Sequence, residues 1–248
     1  MNALDLPIVT PKKVLEKRGI QAGIHGADMA IICFRGRQAS TKLIERFGSS
    51  PLQKGILYHP KLYHSPEFNL LIVPEMVWGG PVTAIIIEEL FSLGVRTLIG
   101  FGAAGAINPK VQPGVMFIAQ EAICTDGTSR EYSDEESYGP DPRLLDYYAD
   151  HCEEWEALLL KGLTTDSLYR ETPKKIENWR QLGADFINLE ISPFYVVCEA
   201  LAIRAIYVGL ITDYVGEDWK STYWNADSRV DTKIIESIRE LCMEIRRI

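Results

Sequence analysis

Short apolar runs alternate with helical patterns along most of this chain. The runs are rich in β-branched residues, which is typical of strands in a sheet that is buried on both faces. They are Met29–Phe34, Asn69–Pro74, Thr97–Gly102, Val115–Ala122, Leu158–Leu163, Asp185–Leu189 and Ala205–Ile211. The segments between them repeat apolar residues at helical spacing and have plausible caps or stops. They predict helices over Ala39–Phe47, Val82–Leu93, Arg143–Glu154, Pro173–Leu182, Ser192–Leu201 and Thr232–Arg247. This alternation predicts an α/β protein with a largely buried sheet.

Length and charge narrow the classes of protein that fit. At 248 residues the chain approaches the upper size of one hydrophobic core, so a single domain over residues 1–248 is expected. The net charge is −8, which disfavours a nucleic-acid or anionic-membrane surface but leaves room for a local basic pocket that binds a small anion. The most apolar stretch, Phe194 to Ile211, is interrupted by Glu199 and Arg204, so no membrane span is expected.

The cysteines and histidines indicate the compartment and argue against a metal site. Five scattered cysteines, none of them in a CxxC pair, fit reduced thiols in the cytoplasm. Residues 1–18 carry no apolar core of the kind found in signal peptides, which favours the same location. Four scattered histidines and the lack of an HxxxH or EF-hand pattern predict no metal.

A Gly-x-Gly-x-x-Gly pattern follows the third predicted strand, at Gly100, Gly102 and Gly105. In a dinucleotide-binding turn this pattern must open a helix, but Pro109 and the pair Pro113-Gly114 follow too closely for a helix to form. Three glycines in six residues would still let a ligand approach the strand backbone. Tight packing of the strand against a helix is the alternative explanation.

These glycines and three other segments, in collinear order, resemble the nucleoside phosphorylase/nucleosidase superfamily. The glycine pattern followed by Pro113-Gly-Val-Met-Phe-Ile-Ala looks like the superfamily signature. Cys33-Phe-Arg-Gly36 resembles the family's first glycine loop, Asp126-Gly-Thr-Ser129 a loop of uridine phosphorylase relatives, and Thr165-Asp-Ser-Leu-Tyr169 the family's S-x-D-x-F-Y stretch. The resemblance implies a three-layer α/β/α sandwich around a central mixed, partly barrel-like β-sheet.

Two acidic residues have the spacing found in purine-cleaving members of that family. There, a Glu of an E-M-E triplet precedes an Asp of a Ser-Asp pair by 23 residues; here 213 − 190 = 23 separates Glu190 from Asp213. A helix and a returning parallel strand between them would bring both carboxylates toward one crevice. The resemblance implies that Glu190, with Asn188 and Leu189, binds the ribose and that Asp213 protonates N7 of a purine. Structural roles, as a helix-start acid and a cap, are the alternative.

The same resemblance assigns the remaining contacts. Residues expected at the base are Thr212, Tyr169, Asp166 and Gly105, and residues expected at the phosphate are Gly36, Arg37, Arg35, Gly102 and Ala103. Two family arginines are absent, since their positions are held by Ser40 and Gly100, and Ala103 replaces a Ser or Thr. Arg35 and Arg37 are expected to supply the missing charge, unless they are ordinary surface arginines. The family's ribose-binding histidine has His25 as its nearest candidate.

The resulting prediction is a purine-type nucleoside phosphorylase that uses inorganic phosphate as co-substrate, needs no other cofactor and releases the base and ribose 1-phosphate. A purine is favoured because Tyr169 leads directly into Arg-Glu-Thr-Pro173, without the Gln-x-Arg segment of pyrimidine-specific relatives. The resemblance also implies a homo-oligomer, either a dimer or a trimer of dimers. One alternative is a hydrolytic nucleosidase, although Phe34–Thr41 offers no carboxylate to activate water. The other is a non-catalytic nucleoside-binding or storage homologue.

Overall fold

Strands and helices alternate along the described part of the chain. The structure is a computed structural model that describes residues 7–20, 26–56, 61–216, 219–221 and 228–246. The strands are β1 (Met29–Cys33), β2 (Ser50–Pro51), β3 (Tyr63–Ser65), β4 (Leu70–Val73), β5 (Thr97–Ala106), β6 (Met116–Ile123), β7 (Ser137–Tyr138), β8 (Ala157–Thr164), β9 (Phe186–Asn188), β10 (Arg204–Tyr214) and β11 (Lys220–Ser221). The helices are α1 (Pro11–Lys17), α2 (Arg37–Arg46), α3 (Gly80–Leu93), α4 (Gly127–Arg130), α5 (Pro142–Asp150), α6 (Cys152–Trp155), α7 (Pro173–Gln181), α8 (Ile191–Ala200) and α9 (Ser228–Ile245), with a 3-10 turn at Leu168–Arg170.

All strands join one mixed sheet, in the order β11-β10-β6-β8-β9-β5-β1-β4-β3-β2, with β7 on β6. Because β10 also pairs with β5, the strands β5, β10, β6, β8 and β9 close into a barrel. The strands β1 to β4 extend from β5 as an open flank. The predicted mixed, partly barrel-like sheet is confirmed.

Helices cover both faces of this sheet. One core cluster includes Leu15 of α1, Ile87 of α3 and Phe194 of α8. A second cluster on the other face includes Tyr148 of α5 and Ile238 of α9. Successive residues of β1 alternate between the two clusters, as the two-residue period of a strand requires. The three-layer α/β/α arrangement is therefore confirmed.

The predicted elements form, with differences at their ends. The strands β5 and β10 run past the predicted ends at Gly102 and Ile211, because they pair with each other as far as Ala106 and Tyr214. The predicted helix Arg143–Glu154 is divided at His151 into α5 and α6. Arg247, where the last helix was predicted to end, and His25 lie outside the described residues. No helix in the described ranges combines the length and the apolarity needed to cross a membrane.

Several short elements were not predicted, among them the helices α1 and α4 and the strands β2, β3, β7 and β11. The helix α4 and the strand β7 lie in the stretch 125–142, whose many polar and acidic residues predict a long surface loop. The helix forms because the Asp126 carboxylate accepts a hydrogen bond from the Ser129 N–H at 2.8 Å, which caps its first turn.

The end of β5 lies between the elements that carry the two predicted acids. Gly105 pairs with Asp213 of β10 on one side and with Ile187 of β9 on the other. At about 4.8 Å per strand spacing, the backbones of Asp213 and Ile187 are roughly 10 Å apart. Glu190 lies between β9 and α8, so the closed barrel places the Glu190 and Asp213 segments on either side of one strand.

Candidate functional site

Glu190 is buried and held by three hydrogen-bond donors. Its Oε1 accepts from the Tyr207 hydroxyl at 2.7 Å and from the Asn188 Nδ2 at 3.3 Å. Its Oε2 accepts from the Leu189 N–H at 3.1 Å. Burial raises the pKa of Glu190 to about 7, although the bonds from Tyr207 and Leu189 act to lower it. The carboxyl group is therefore fixed in one orientation, and with this pKa its protonation state changes near neutral pH.

Asn188 and Leu189 differ in what they contact. The Asn188 Oδ1 accepts from the backbone N–H groups of Glu190 at 3.2 Å and Ile191 at 3.0 Å, so Asn188 caps the start of α8. Leu189 is half-buried and lines a cavity beside the site. A ribose contact for either residue stays a prediction.

Tyr207 is the main feature of the site that the sequence did not indicate. It lies on β10 in register with Gly100 of β5, and its ring crosses Gly100 and Gly102. A Cβ atom on Gly102 would overlap the Tyr207 hydroxyl and lie 2.7 Å from Cζ, and one on Gly100 would overlap the ring. The first two glycines of the pattern are therefore needed to accommodate a buried tyrosine.

The Tyr207 ring is held on several sides. It stacks on Phe34 and Phe117 at centroid distances of 5.9 and 6.2 Å, and it meets the edge of Phe194 at 5.5 Å. Its backbone N–H donates to the Tyr195 hydroxyl at 2.9 Å. The phenol is thus a fixed part of the core whose hydroxyl reaches Glu190.

Asp213 is half-exposed and lies over Gly105. Its Oδ1 accepts from the Thr212 hydroxyl at 2.7 Å, and its Oδ2 accepts from the Trp219 indole N–H at 2.9 Å. A Cβ atom on Gly105 would lie 3.2 Å from the Asp213 Oδ2, so the third glycine allows this close approach. The Asp213 side chain is open to solvent and to a ligand on its remaining lone pairs.

Glu171 is a second acidic residue close enough to Asp213 to be affected by its charge, and it was not identified from the sequence. It precedes α7, and burial together with the negative charge of Asp213 raises the pKa of Glu171 to about 7. The only sequence signal was its position in the Arg-Glu-Thr-Pro173 segment, which has no local pattern of its own. Two carboxyl groups thus influence one another at this end of the barrel.

The first glycine loop carries the predicted phosphate contacts. Arg35 is buried and forms a two-pronged ion pair with Asp231 of α9, with Nε–Oδ1 at 3.0 Å and Nη2–Oδ2 at 3.2 Å. The Arg37 side chain is 83% exposed, and its Nε lies 3.6 Å from the Glu75 Oε2. Gly36 immediately precedes α2, at its N-cap position, and a Cβ atom there would meet no atom within 4 Å. The loop is open at Gly36, while the guanidinium of Arg35 is directed to Asp231.

The phosphate contacts predicted on β5 are in different surroundings. Gly102 is covered on its side-chain face by Tyr207, whereas Ala103 is half-buried. The guanidinium of Arg35 is therefore paired with Asp231, and the space on the side-chain face of Gly102 is filled by Tyr207. Gly36, Arg37 and Ala103 keep atoms that a ligand could reach.

A cavity of about 810 Å³ lies beside Leu189, within the range of small-molecule sites. It is bounded by Trp78, Gly79, Thr128 and Asp166, among others. The Trp78 indole N–H donates to the Phe34 carbonyl at 3.0 Å, which ties this wall to the first glycine loop.

Two residues predicted at the base lie near solvent. The exposed Asp166 accepts from the Gly127 N–H at 2.9 Å and lines the cavity. Tyr169, on the 3-10 turn, is 95% exposed and does not line that cavity. Its contact with a base stays a prediction. Within the described ranges, no three His, Cys, Asp or Glu side chains are grouped so that they could hold a metal ion.

Comparison with known proteins identifies the family. The sequence profile described as the phosphorylase superfamily matches residues 63–243. The chain is 24% identical to an uncharacterized protein of Acanthamoeba polyphaga mimivirus, over 98% of the chain and 99% of that protein. It is 29% identical to a uridine phosphorylase of Haemophilus influenzae, over 51% of the chain and 57% of that protein. It is 27% identical to a guanosine phosphorylase of Halorubrum lacusprofundi, over 51% of the chain and 54% of that protein. The matched segments thus span little more than half the length of these two named phosphorylases.

Solved structures show the same fold. A purine nucleoside phosphorylase from Toxoplasma gondii superposes with a TM-score of 0.75 at 20% identity, over 89% of this chain and 92% of that one. A uridine phosphorylase from Vibrio fischeri superposes with a TM-score of 0.74 at 18% identity, over 94% of this chain and 100% of that one. At these identities the structural likeness establishes the fold alone. Because the family profile covers well over half of its length, the chain belongs to the phosphorylase superfamily.

Proposed function

We propose that this protein cleaves the N-glycosidic bond of a nucleoside, with Glu190 at the sugar and Asp213 at the base. The observation that carries the proposal is the fixed, buried Glu190 carboxyl group next to Leu189, which lines a cavity large enough for a nucleoside. Asp213 lies across the end of β5 from the strand that leads to Glu190. The family membership supports the same chemistry.

The two acids suit the two charges that develop during this reaction. Departure of the base leaves an oxocarbenium-like sugar, which an ionised Glu190 opposes while it accepts a hydrogen bond from the sugar. The base leaves more readily when it is protonated. Asp213 is proposed as the acid, and Glu171, whose pKa is about 7, supplies a neighbouring carboxyl group that holds a proton near neutral pH.

A purine is the proposed base, because the protonated form of Asp213 can donate a hydrogen bond to N7. Thr212, Asp166, Tyr169 and Gly105 are proposed to lie around it. The guanosine phosphorylase relative is consistent with a purine, while the uridine phosphorylase relative makes a pyrimidine the competing choice.

A homo-oligomer in the cytoplasm remains the expectation from sequence.

Inorganic phosphate is the proposed nucleophile, bound near Gly36, Arg37 and Ala103, and the reaction then yields ribose 1-phosphate. The names of the two phosphorylase relatives and the open helix start at Gly36 support this choice. Water is the second candidate. It is favoured by the pairing of Arg35 with Asp231 and by the ring of Tyr207 over Gly102, since both reduce the room and charge available to an anion.

The test is base release from purine and pyrimidine nucleosides, with and without inorganic phosphate. The Asp213→Asn variant should lose about 10²–10⁴-fold in kcat on purine nucleosides, the usual contribution of a general acid. Asp146→Asn, on the exposed face of α5, is the matched control and should keep full activity. Equal base release with and without phosphate would assign water as the nucleophile. No base release from any nucleoside, or full activity of Asp213→Asn, would refute the proposal.

A further inference from the structure

We infer that Tyr207 determines the sugar specificity of this site, because its hydroxyl takes the place of one sugar hydroxyl on Glu190. The site would then favour a 2′-deoxyribosyl nucleoside, whose furanose ring carries a single hydroxyl, over a ribosyl nucleoside, which carries two. This inference rests on the proposed function and deepens it by naming the class of sugar.

The first step is the number of hydrogen bonds that Glu190 can still accept. An ionised carboxylate has about four lone-pair positions. On Oε1 both are used, by the Tyr207 hydroxyl at 2.7 Å and the Asn188 Nδ2 at 3.3 Å. On Oε2 the Leu189 N–H, at 3.1 Å, uses one. One acceptor position remains, whereas the 2′,3′-diol of a ribose needs two.

The second step is the location of the remaining position. It belongs to Oε2, the oxygen that is bonded to the Leu189 backbone, and Leu189 lines the cavity of about 810 Å³. Oε1 is bonded to Tyr207, which has no exposed side-chain surface. Glu190 itself does not bound this cavity, but its neighbour on the Oε2 side does, so we expect a sugar at this end of the cavity to bind Oε2 rather than the saturated Oε1.

The third step is that Tyr207 cannot move aside for a second sugar hydroxyl. Phe34, Phe117 and Phe194 surround its ring, and the side-chain faces of Gly100 and Gly102 lie directly beneath it. If a diol displaced its hydroxyl, the phenol would keep only the long 3.4 Å contact from the Asn188 Nδ2. A buried hydroxyl without a good partner is unfavourable, so the Tyr207–Glu190 bond persists in the loaded site.

The experiment compares kcat/KM for two matched pairs, adenosine with 2′-deoxyadenosine and uridine with 2′-deoxyuridine. The proteins are the wild type, Tyr207→Phe and the control Tyr148→Phe. Tyr148 is just as buried, but its hydroxyl lies 3.3 Å from the Ser237 Oγ in the other core cluster. The ratio of ribosyl to deoxyribosyl kcat/KM should rise about tenfold or more in Tyr207→Phe, because a hydrogen bond to a charged group has at least that effect. It should not change in Tyr148→Phe.

The change of this ratio between variants is the decisive quantity, because the greater intrinsic lability of the deoxyribosyl bond affects all three proteins equally. A second readout is the pH profile. The hydrogen bond from Tyr207 lowers the pKa of Glu190, so its loss in Tyr207→Phe should raise that pKa. The acid limb of the profile of kcat/KM against pH should then move to higher pH. A merely structural role would reduce activity on both sugars without moving the ratio.

An unchanged ratio in an active, folded Tyr207→Phe protein would overturn the inference and leave the proposed function intact. If the wild type cleaves no nucleoside of either class, the proposed function fails and the inference fails with it. If Tyr207→Phe does not fold, the wild type decides: a kcat/KM for adenosine equal to or above that for 2′-deoxyadenosine would overturn the inference.

Discussion

The contact between Gly102 and Tyr207 gives the most direct test of the fold around the site. We predict that Gly102→Ala strongly destabilises the protein although it adds a single methyl group. That methyl would overlap the Tyr207 hydroxyl and lie 2.7 Å from Cζ and 3.2 Å from Cε1 of the same ring. The ring has no room to retreat, because Phe34, Phe117 and Phe194 pack around it.

The magnitude has two parts. Overpacking a close-packed core costs about 1–3 kcal/mol of unfolding free energy. Any shift of the ring also weakens the bond from Tyr207 to Glu190, and a bond to a charged group contributes about 1.5–3 kcal/mol. The sum is roughly 2.5–6 kcal/mol, which in a chain of this size lowers Tm by about 5–24 °C.

Thermal unfolding followed by circular dichroism, together with urea titration, measures this loss. The control is Gly36→Ala, where the added methyl meets no atom within 4 Å and the backbone is not left-handed, so the cost should stay below about 1 kcal/mol. In the double variant, Tyr207→Leu should relieve part of the Gly102→Ala penalty and give a clear coupling energy. The reasoning is refuted if Gly102→Ala unfolds at the same temperature as Gly36→Ala, or if the two changes are additive.

Three further predictions concern charged groups. The pKa of Glu190 lies near 7 in the folded state and is ordinarily 4.5, so between these pH values the folded state binds more protons than the unfolded state. The unfolding free energy should therefore fall as pH rises from 4.5 to 7. Urea titrations of Glu190→Gln should lack this part of the pH dependence, and an unchanged pH dependence would contradict the burial of an ionisable group at residue 190. Asp231→Asn leaves the buried Arg35 guanidinium without its carboxylate and should cost about 3–5 kcal/mol in the same titrations; a loss below 1 kcal/mol would show that Arg35 finds another partner. Asp213→Asn should lower the pKa of Glu171 in a ¹³C NMR titration, and an unmoved midpoint would mean that the two groups do not interact.

Much of the fold could be predicted from sequence, because strand and helix periods and helix stops are local properties. The run Thr97–Gly102, for example, is apolar and short, and it forms the first part of β5. The rest of β5 is Ala103-Ala-Gly-Ala106, which has little tendency to form a strand by itself. It is extended because β10 and β9 pair with it, and that depends on contacts distant in sequence.

In the candidate site, too, the features that depend on local sequence could be predicted, and those that depend on distant contacts could not. The spacing of Glu190 and Asp213 was visible because one helix and one returning strand connect them. The contact of Tyr207 with Gly102 was not visible, because it depends on the register of β10 on β5. The partner of Arg35 is 196 residues away in α9, so the sequence could not show whether that charge is free for an anion.

The ends of the sheet limit how copies of this protein can associate. Closure of the barrel leaves β5, β6, β8, β9 and β10 with neighbours on both sides. Over the described ranges, the strands with one neighbour are β2, β7 and β11, and each has two residues. So short a row of free N–H and C=O groups is a poor template for pairing with another chain. Any assembly of subunits would therefore be held by side chains on helices and loops. These short edges also disfavour a continuous intermolecular sheet, which is the geometry of fibrous aggregates.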